Sequence, residues 1–575
     1  MCKFTSWITG SRGCRIVIIQ FLVTSPPVHF VRYFLTTYLP IFIIFATRKN
    51  LNVMARKKFP IGVQSFDKLI EEQYVYVDKT SLVYDIVKEG GVYFLSRPRR
   101  FGKSLLLSTF EAYFKGRKEL FEGFAIGEKE TEWTEYPVLR FDMIGKTYAT
   151  PDDLIARIGN QLSEYESVYG RNEDELSVDL RFGGLIRKAY EKTGRKVVVL
   201  VDEYDAPLQL TLHDPELNDT YRRIFKGFYG NLKMYDACLK FVFLTGVSKF
   251  GKVSVFSDLN NLKDISMDDR YITVCGITET EMHRYFDDDL RQMAAKLQLS
   301  FDELCQRLKA KYDGYRFNEN ETEGLYNPFS LLGAIDAMRL DDFWFNTGTP
   351  TFLVEMLKRD NYNMIDVEKT EMTLSELSNI SVDSNDPIQI LYQTGYLTVK
   401  GYDSETGICT LGFPNEEVKN GFYKNLAPIY IQKSDRTYQE TSINIKKTLV
   451  RNDIDGFMNV IRDFLPEISY IFHDNQRYPE RHFQEIIYIL IVAAGFAARV
   501  EEMSPKGRSD IVVETRTSVF VIELKMNRPP EKALSQIDEK LYMERYRRTG
   551  KNLYSIGVDV DMEKRNIERW ESVKM

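Results

Sequence analysis

Two spacings of apolar residues alternate along this chain. Short unbroken apolar runs give way to longer stretches in which apolar residues recur every three or four positions, the pattern of strands and amphipathic helices in an α/β protein with a parallel sheet. Val92–Leu95, Pro137–Asp142, Val197–Val201 and Lys240–Thr245 read as buried strands. Phe66–Ile70, Leu82–Val87, Leu154–Tyr165 and Leu180–Lys192 read as helices, and Tyr74–Thr80 as a further strand. Beyond residue 276 the texture turns helical, over Thr278–Phe286, Asp288–Leu297 and Phe301–Tyr312. A small hairpin is expected over Ile388–Val399 and Ile408–Leu411, and helices over Asn415–Ile431 and Thr441–Phe464. The last hundred residues predict a strongly apolar helix, Glu480–Ala498, and strands from Ala498, Gly507 and Ser518. The Tyr and Trp residues of 312–317, 326 and 344 read as a packed helical interface and not a base-stacking surface.

The first strand leads into a polar turn, Ser96–Gly102, and then into a helix opened by Lys103-Ser104 with Leu105, Leu106, Leu107, Phe110 and Tyr113 as its apolar positions. Strand, turn, GK[ST] and helix is the arrangement of a phosphate-binding loop. Backbone N–H groups surround phosphate, Lys103 reaches the β/γ-phosphates of ATP, and the Ser104 hydroxyl ligates Mg²⁺. The motif's first glycine is Arg97 here, a residue that can meet phosphate but takes positive φ less cheaply. Val197–Val201 is followed by Asp202-Glu203, an acidic pair at the end of a strand apolar enough to be buried on both faces. Asp202 is expected to hold Mg²⁺ through water and Glu203 to polarise the water that attacks the γ-phosphate. Thr245 or Ser248, at the tip of another strand, is the candidate γ-phosphate sensor.

Near the C-terminus, Glu523 and Lys525 lie two apart on a strand and so share a face, with Asp510 expected beside them across a hairpin. Two carboxylates and a lysine on one sheet suit Mg²⁺ binding and a water directed at a phosphodiester. Lys525 would stabilise developing charge or position the nucleophile. The basic run Lys540–Lys551 reads as a solvated helix face.

At 575 residues the chain exceeds one core, and its 43% hydrophobic and 28% charged content is that of a globular protein. A net charge of −6 removes any general basic coat for nucleic acid. Six cysteines without a C-x-x-C pair argue against a disulfide framework and favour a reducing, cytoplasmic compartment. Residues 1–53 carry six basic residues and no acidic one around two apolar patches, Ile16–Val23 and Tyr33–Ala46. Three readings compete there: a translated extension ahead of a start at Met54, a membrane anchor, and a targeting segment.

Phe59-Pro60-Ile61-Gly62, Tyr76–Thr80, Arg97–Ser104, Val201–Asp205 and Thr245–Ser248 together resemble the AAA-ATPase-like family of bacterial and archaeal proteins. That family carries the same Arg-rich loop, so the resemblance implies ATP binding through Arg97, Arg100, Gly102, Lys103, Ser104, Asp202 and Thr245. The D…E-x-K pattern resembles the PD-(D/E)XK nuclease superfamily, in the subfamily appended to AAA-ATPase-like domains. By position this implies a core site of Asp510, Glu523 and Lys525, with Glu480 an extra metal ligand and Gln536 an auxiliary residue. The fold expected is a P-loop NTPase sheet over 54–265, a helical lid over 266–400, a connector over 401–470 and a nuclease-like α/β domain over 471–575. The function expected is an ATPase coupled to a Mg²⁺-dependent nuclease acting on DNA or RNA. The rival is a non-cleaving switch or scaffold whose nuclease fold only binds nucleic acid or a partner.

Overall fold

Strand β1 (Gly91–Ser96) is built from residues that point alternately to two cores. Val92 and Phe94 join the aromatic cluster on one face of the sheet, while Tyr93 and Leu95 join the larger cluster on the other. The same two-sided burial holds for β3 (Val197–Asp202), which is buried along its whole length. With β2 (Val138–Asp142), β4 (Leu239–Gly246) and β5 (Leu262–Asp264) they form a five-stranded parallel sheet in the order β2-β3-β4-β1-β5. Strand β4 therefore lies between the phosphate-loop strand and the acidic strand, and its tip stands between the two loops that carry the chemistry. Helix α1 (Lys103–Phe114) follows β1 directly.

The structure is a computed structural model that describes residues 58–575 except 146–147, 213, 250–254, 257–258, 321–322, 345–356, 358–361, 363–364, 379–385, 432–434, 468–478 and 505, with side chains also left out at 426–435, 467 and 479. The readings of residues 1–53 fall outside it. Among the described residues no helix is long and apolar enough to cross a membrane. Residues 59–575 form one compact unit.

After the sheet come α2 (Glu279–Leu297), α3 (Phe301–Tyr312) and α4 (Pro328–Ala337), which share a core with Val75 and Val77. The expected break within 278–297 is absent, and one capped helix runs through, with Thr278 and Glu281 forming its capping box. Tyr312, Tyr315, Tyr326 and Trp344 are buried, as a packing interface requires. The region expected to be a helical lid also holds a three-stranded sheet, β6 (Glu371–Thr373), β8 (Ile408–Gly412) and β7 (Thr398–Asp403), and β7 runs across the expected boundary at 400. The first half of the expected hairpin is instead helix α5 (Pro387–Gln393), started by Pro387 and by the Asp386 carboxylate accepting from Ile388 N–H. Helix α6 (Glu416–Ile431) follows, and the expected single helix to Phe464 is broken at Asn452, whose φ is +57°, with Asp453 capping the second piece.

The C-terminal part packs α7 (Pro479–Ala493) on a second five-stranded sheet of order β13-β12-β11-β10-β9. Strands β9 (Ala497–Ser504), β10 (Gly507–Glu514) and β11 (Ser518–Met526) are antiparallel neighbours. Strand β12 (Asn552–Asp561) is parallel to β11, reached through α8 (Pro530–Glu539), and β13 (Asn566–Lys574) closes the edge.

Candidate functional site

Gly102 takes φ +98°, a left-handed value open to glycine, and delivers the chain into α1 with no side chain capping the first N–H groups. An uncapped helix start of twelve residues with no acidic residue in its first turn is a ready anion site. It opens onto a cleft of about 440 Å³ whose walls include Arg99, Arg100, Gly102, Lys103, Ser104, Glu203 and Gln209. Lys103 Nζ donates to the Arg97 and Pro98 carbonyls at 3.0 and 3.2 Å and stands 3.4 Å from Glu203 Oε1. Glu203 itself has φ +50°, a strained value for a non-glycine residue that aims its side chain at the cleft. Burial pushes its carboxyl up, Lys103 pulls it back down, and Asp205 and Asp202 add to the rise.

Asp202 is buried beside it. Its carboxylate accepts from the Thr245 hydroxyl at 2.8 Å and lies 3.8 Å from Arg140. Thr245, near the tip of β4, thus reaches across to the end of the acidic strand, whereas the Ser248 hydroxyl is bound to Asp205 at 2.5 Å. Of the two sensor candidates, Thr245 is the one in contact with Asp202.

Arg97 departs from expectation. Its φ is not left-handed, so no strain attends the missing glycine; the strained loop position is Arg100, at φ +67°. Arg97 is 1% exposed, and its guanidinium turns away from the cleft to donate to the carbonyls of Ser96, Ser266 and Ile272, with Phe317 stacked 4.1 Å away. It ties the loop to the segment that follows β5. Arg99 and Arg100 face the cleft instead, Arg99 donating to Gln209 at 3.2 Å and Arg100 lying over Phe329. Sequence reasoning gave no role to Arg99, Gln209, Asp205 or Arg140. Arg140 carried a signal, a charge flanked by apolar residues in the middle of a short strand.

At the second site Ile511 pairs with Ile522, which brings Asp510 beside Glu523 and Leu524. Asp510 Oδ2 accepts from Leu524 N–H at 2.7 Å, and Glu523 Oε2 from Asp510 N–H at 3.3 Å. Glu523 is 1% exposed and its other oxygen accepts from Lys525 Nζ at 3.0 Å and from Gln536 on α8. Burial, then the neighbouring Glu523, pushes the Asp510 carboxyl up to about 7, and burial raises Glu523 as well. From α7, Gln484 holds the Asp510 carbonyl at 2.7 Å and Glu480 comes within 3.9 Å of Lys525 Nζ. Gln484 is the contact that the sequence did not announce.

Among the described residues no three His, Cys, Asp or Glu side chains are gathered around one ion position. Of the expected ligands Glu480, Asp510 and Glu523, the latter two form a carboxylate pair, and the charge of Glu480, 3.9 Å from Lys525 Nζ, acts on both. Hard oxygen donors in a pair, both reluctant to ionise, fit Mg²⁺, which binds through one or two carboxylates and keeps its waters; they do not make an all-protein cage.

Residues 60–256 match the family model described as a predicted AAA-ATPase, and residues 478–570 match the PD-(D/E)XK nuclease superfamily. The chain is 35% identical over 523 residues to an uncharacterized protein in the vnfD 5' region of Azotobacter chroococcum mcd 1, across 89% of this chain and 98% of that protein.

Proposed function

The chain belongs to the family of predicted AAA-ATPases that end in a PD-(D/E)XK nuclease superfamily domain, and on that premise we propose that it binds and hydrolyses ATP and thereby gates a metal-dependent nuclease. The observation that carries the ATPase half is the meeting of Lys103 and Glu203 at 3.4 Å on the wall of the cleft. Lys103, freed from the loop carbonyls, would meet the β/γ-phosphates, and the uncapped start of α1 supplies N–H donors. Glu203, its carboxyl made more basic by burial, would take the proton of the attacking water. Arg99 and Arg100 add positive charge at the cleft wall, and the base would lie toward Pro60, Leu105, Pro328 and Leu332, where the cleft meets a small apolar cavity. Magnesium held by Ser104 and Asp202, and by Asp510 and Glu523 at the second site, would offset phosphate charge and supply Lewis acidity. In the nuclease half Lys525 would stabilise the charge that grows on the phosphodiester, and Gln536 holds Glu523 in place. The substrate proposed is DNA or RNA and the compartment cytoplasmic, since the thiols of Cys238, Cys275, Cys305 and Cys409 are all unbridged.

Calorimetric titration with ATP and Mg²⁺, together with phosphate release, tests the ATPase half. Lys103→Ala should lose binding, and Glu203→Gln should bind but turn over at least about 100-fold slower. Equal ATP affinity in wild type and Lys103→Ala would overturn it.

A further inference from the structure

One run of contacts leads from the phosphate loop to Asp510. The Arg99 carbonyl, on the loop, accepts from the indole N–H of Trp344 at 3.2 Å. The backbone N–H of the same Trp344 donates to Glu417 Oε1 at 2.7 Å. Glu417 is 1% exposed, in the first turn of α6. Two residues on, Lys419 Nζ lies 2.9 Å from Glu368 Oε1. Glu368 also accepts from the hydroxyl of Tyr488, on α7. Tyr488, Gln484 and Glu480 are spaced by four, so they form one stripe along α7. Gln484 holds the Asp510 carbonyl and Glu480 faces Lys525.

The helical turn that carries Glu368, Asp366–Lys369, holds the nuclease fold at two more points. Asp366 accepts from Arg481 on α7, and Lys369 donates to Glu501 on β9 at 3.0 Å. A buried carboxylate and a buried indole between α6 and the loop leave little room for the loop to change shape without moving α6. A shift of α6 acts on Glu368, and a shift of α7 moves Gln484 and Glu480 together.

We propose that Trp344, Glu417, Lys419, Glu368 and Tyr488 form the relay through which occupancy of the phosphate loop repositions α7 and hence Asp510. The relay rests on the reading of the loop as an ATP site. These five are positioning residues, and none of them touches nucleotide or the scissile bond. Nucleotide that draws Arg99 toward phosphate pulls on its carbonyl bond to Trp344. The pull reaches Glu417 through the Trp344 backbone, then Glu368 through the first turn of α6.

Hydrogen–deuterium exchange of the full chain, with and without ATP and Mg²⁺, reads this without any need for cleavage. In the wild type ATP should change exchange both in the loop peptide, 91–114, and in the distal peptides, 479–493 and 507–514. Tyr488→Phe removes only a hydroxyl far from the cleft; it should keep ATP affinity and the loop change, while the distal change shrinks by about 2- to 30-fold. Trp344→Phe, which keeps a ring in the core and loses the donor to Arg99, should do the same. A loop change without a distal change in the wild type would sink the relay alone, as would distal changes as large as the wild type's in both variants. No change at the loop would sink the relay and the ATP reading together.

Discussion

Ser248 gives both its N–H and its hydroxyl to Asp205 Oδ2, at 2.6 and 2.5 Å. Asp205 is wholly buried, and it also accepts from Val247 N–H at 3.2 Å and from Gln209 at 2.6 Å. One carboxylate thus fixes the loop after β4, which carries Thr245, and the residue that holds Arg99. Asp205→Ala would leave several buried donors without an acceptor, each at about 1–3 kcal/mol. Thermal unfolding should show a large drop in Tm, and at temperatures where the variant is folded turnover should fall more than ATP affinity. Unchanged Tm would contradict this.

Arg97 is predicted to matter for stability more than for nucleotide contact. Arg97→Met keeps much of the volume but abandons three carbonyls, at a cost of about 3 kcal/mol or more. Arg99→Met should leave Tm within a degree or two and weaken ATP binding instead. Thermal scans paired with ATP titration separate the two, and the reverse pattern would show that Arg97 faces phosphate.

Gly395 has φ +86°, and a Cβ placed there would stand 2.5 Å from the ring of Pro98. Gly395→Ala therefore faces both a disfavoured backbone and a clash with the phosphate loop. It should lower Tm and weaken ATP binding by about tenfold, a loss of ~1.4 kcal/mol. Titration with ATP checks it.

Burial pushes the Glu417 carboxyl up to about 7 from an ordinary value of 4.5. Between pH 4.5 and about 7 such a carboxyl is protonated in the fold while ionised in the unfolded chain. Its contribution is fully present below pH 4.5, declines between 4.5 and 7, and is gone above 7, a loss of about 3 kcal/mol. Glu417→Gln should remove that slope. Denaturation of both proteins at pH 5 and pH 7.5 should show the variant gaining on the wild type at the higher pH.

The sheet strands were legible because a parallel strand buried on both faces can be little other than apolar, as Val197–Val201 shows. Tyr74–Thr80 misled for an instructive reason. Val75 and Val77 do face one core and Tyr76 another, which gives the alternation of a strand, but the segment packs between cores without joining a sheet, and the Asp78 carboxylate accepts from the N–H and hydroxyl of Thr80, where a helix begins. The placement of the candidate residues was legible wherever it followed from strand and helix order: Lys103 meets Glu203 at the cleft, and Asp510 lies across the hairpin from Glu523 and Lys525. Arg97 was not, because a run of three arginines around Pro98 does not say which guanidinium turns inward. Gln484 and Trp344 were not, because their partners are backbone carbonyls far off in sequence.

The most direct test of the account is nuclease activity of the Met54–Met575 protein on single- and double-stranded DNA and RNA, with Mg²⁺ or Mn²⁺, with and without ATP. The account predicts metal-dependent cleavage that Asp510→Ala abolishes and that ATP alters only when Lys103 is intact. ATP bound normally with no cleavage under any metal or substrate, or cleavage that survives in Asp510→Ala, would contradict it.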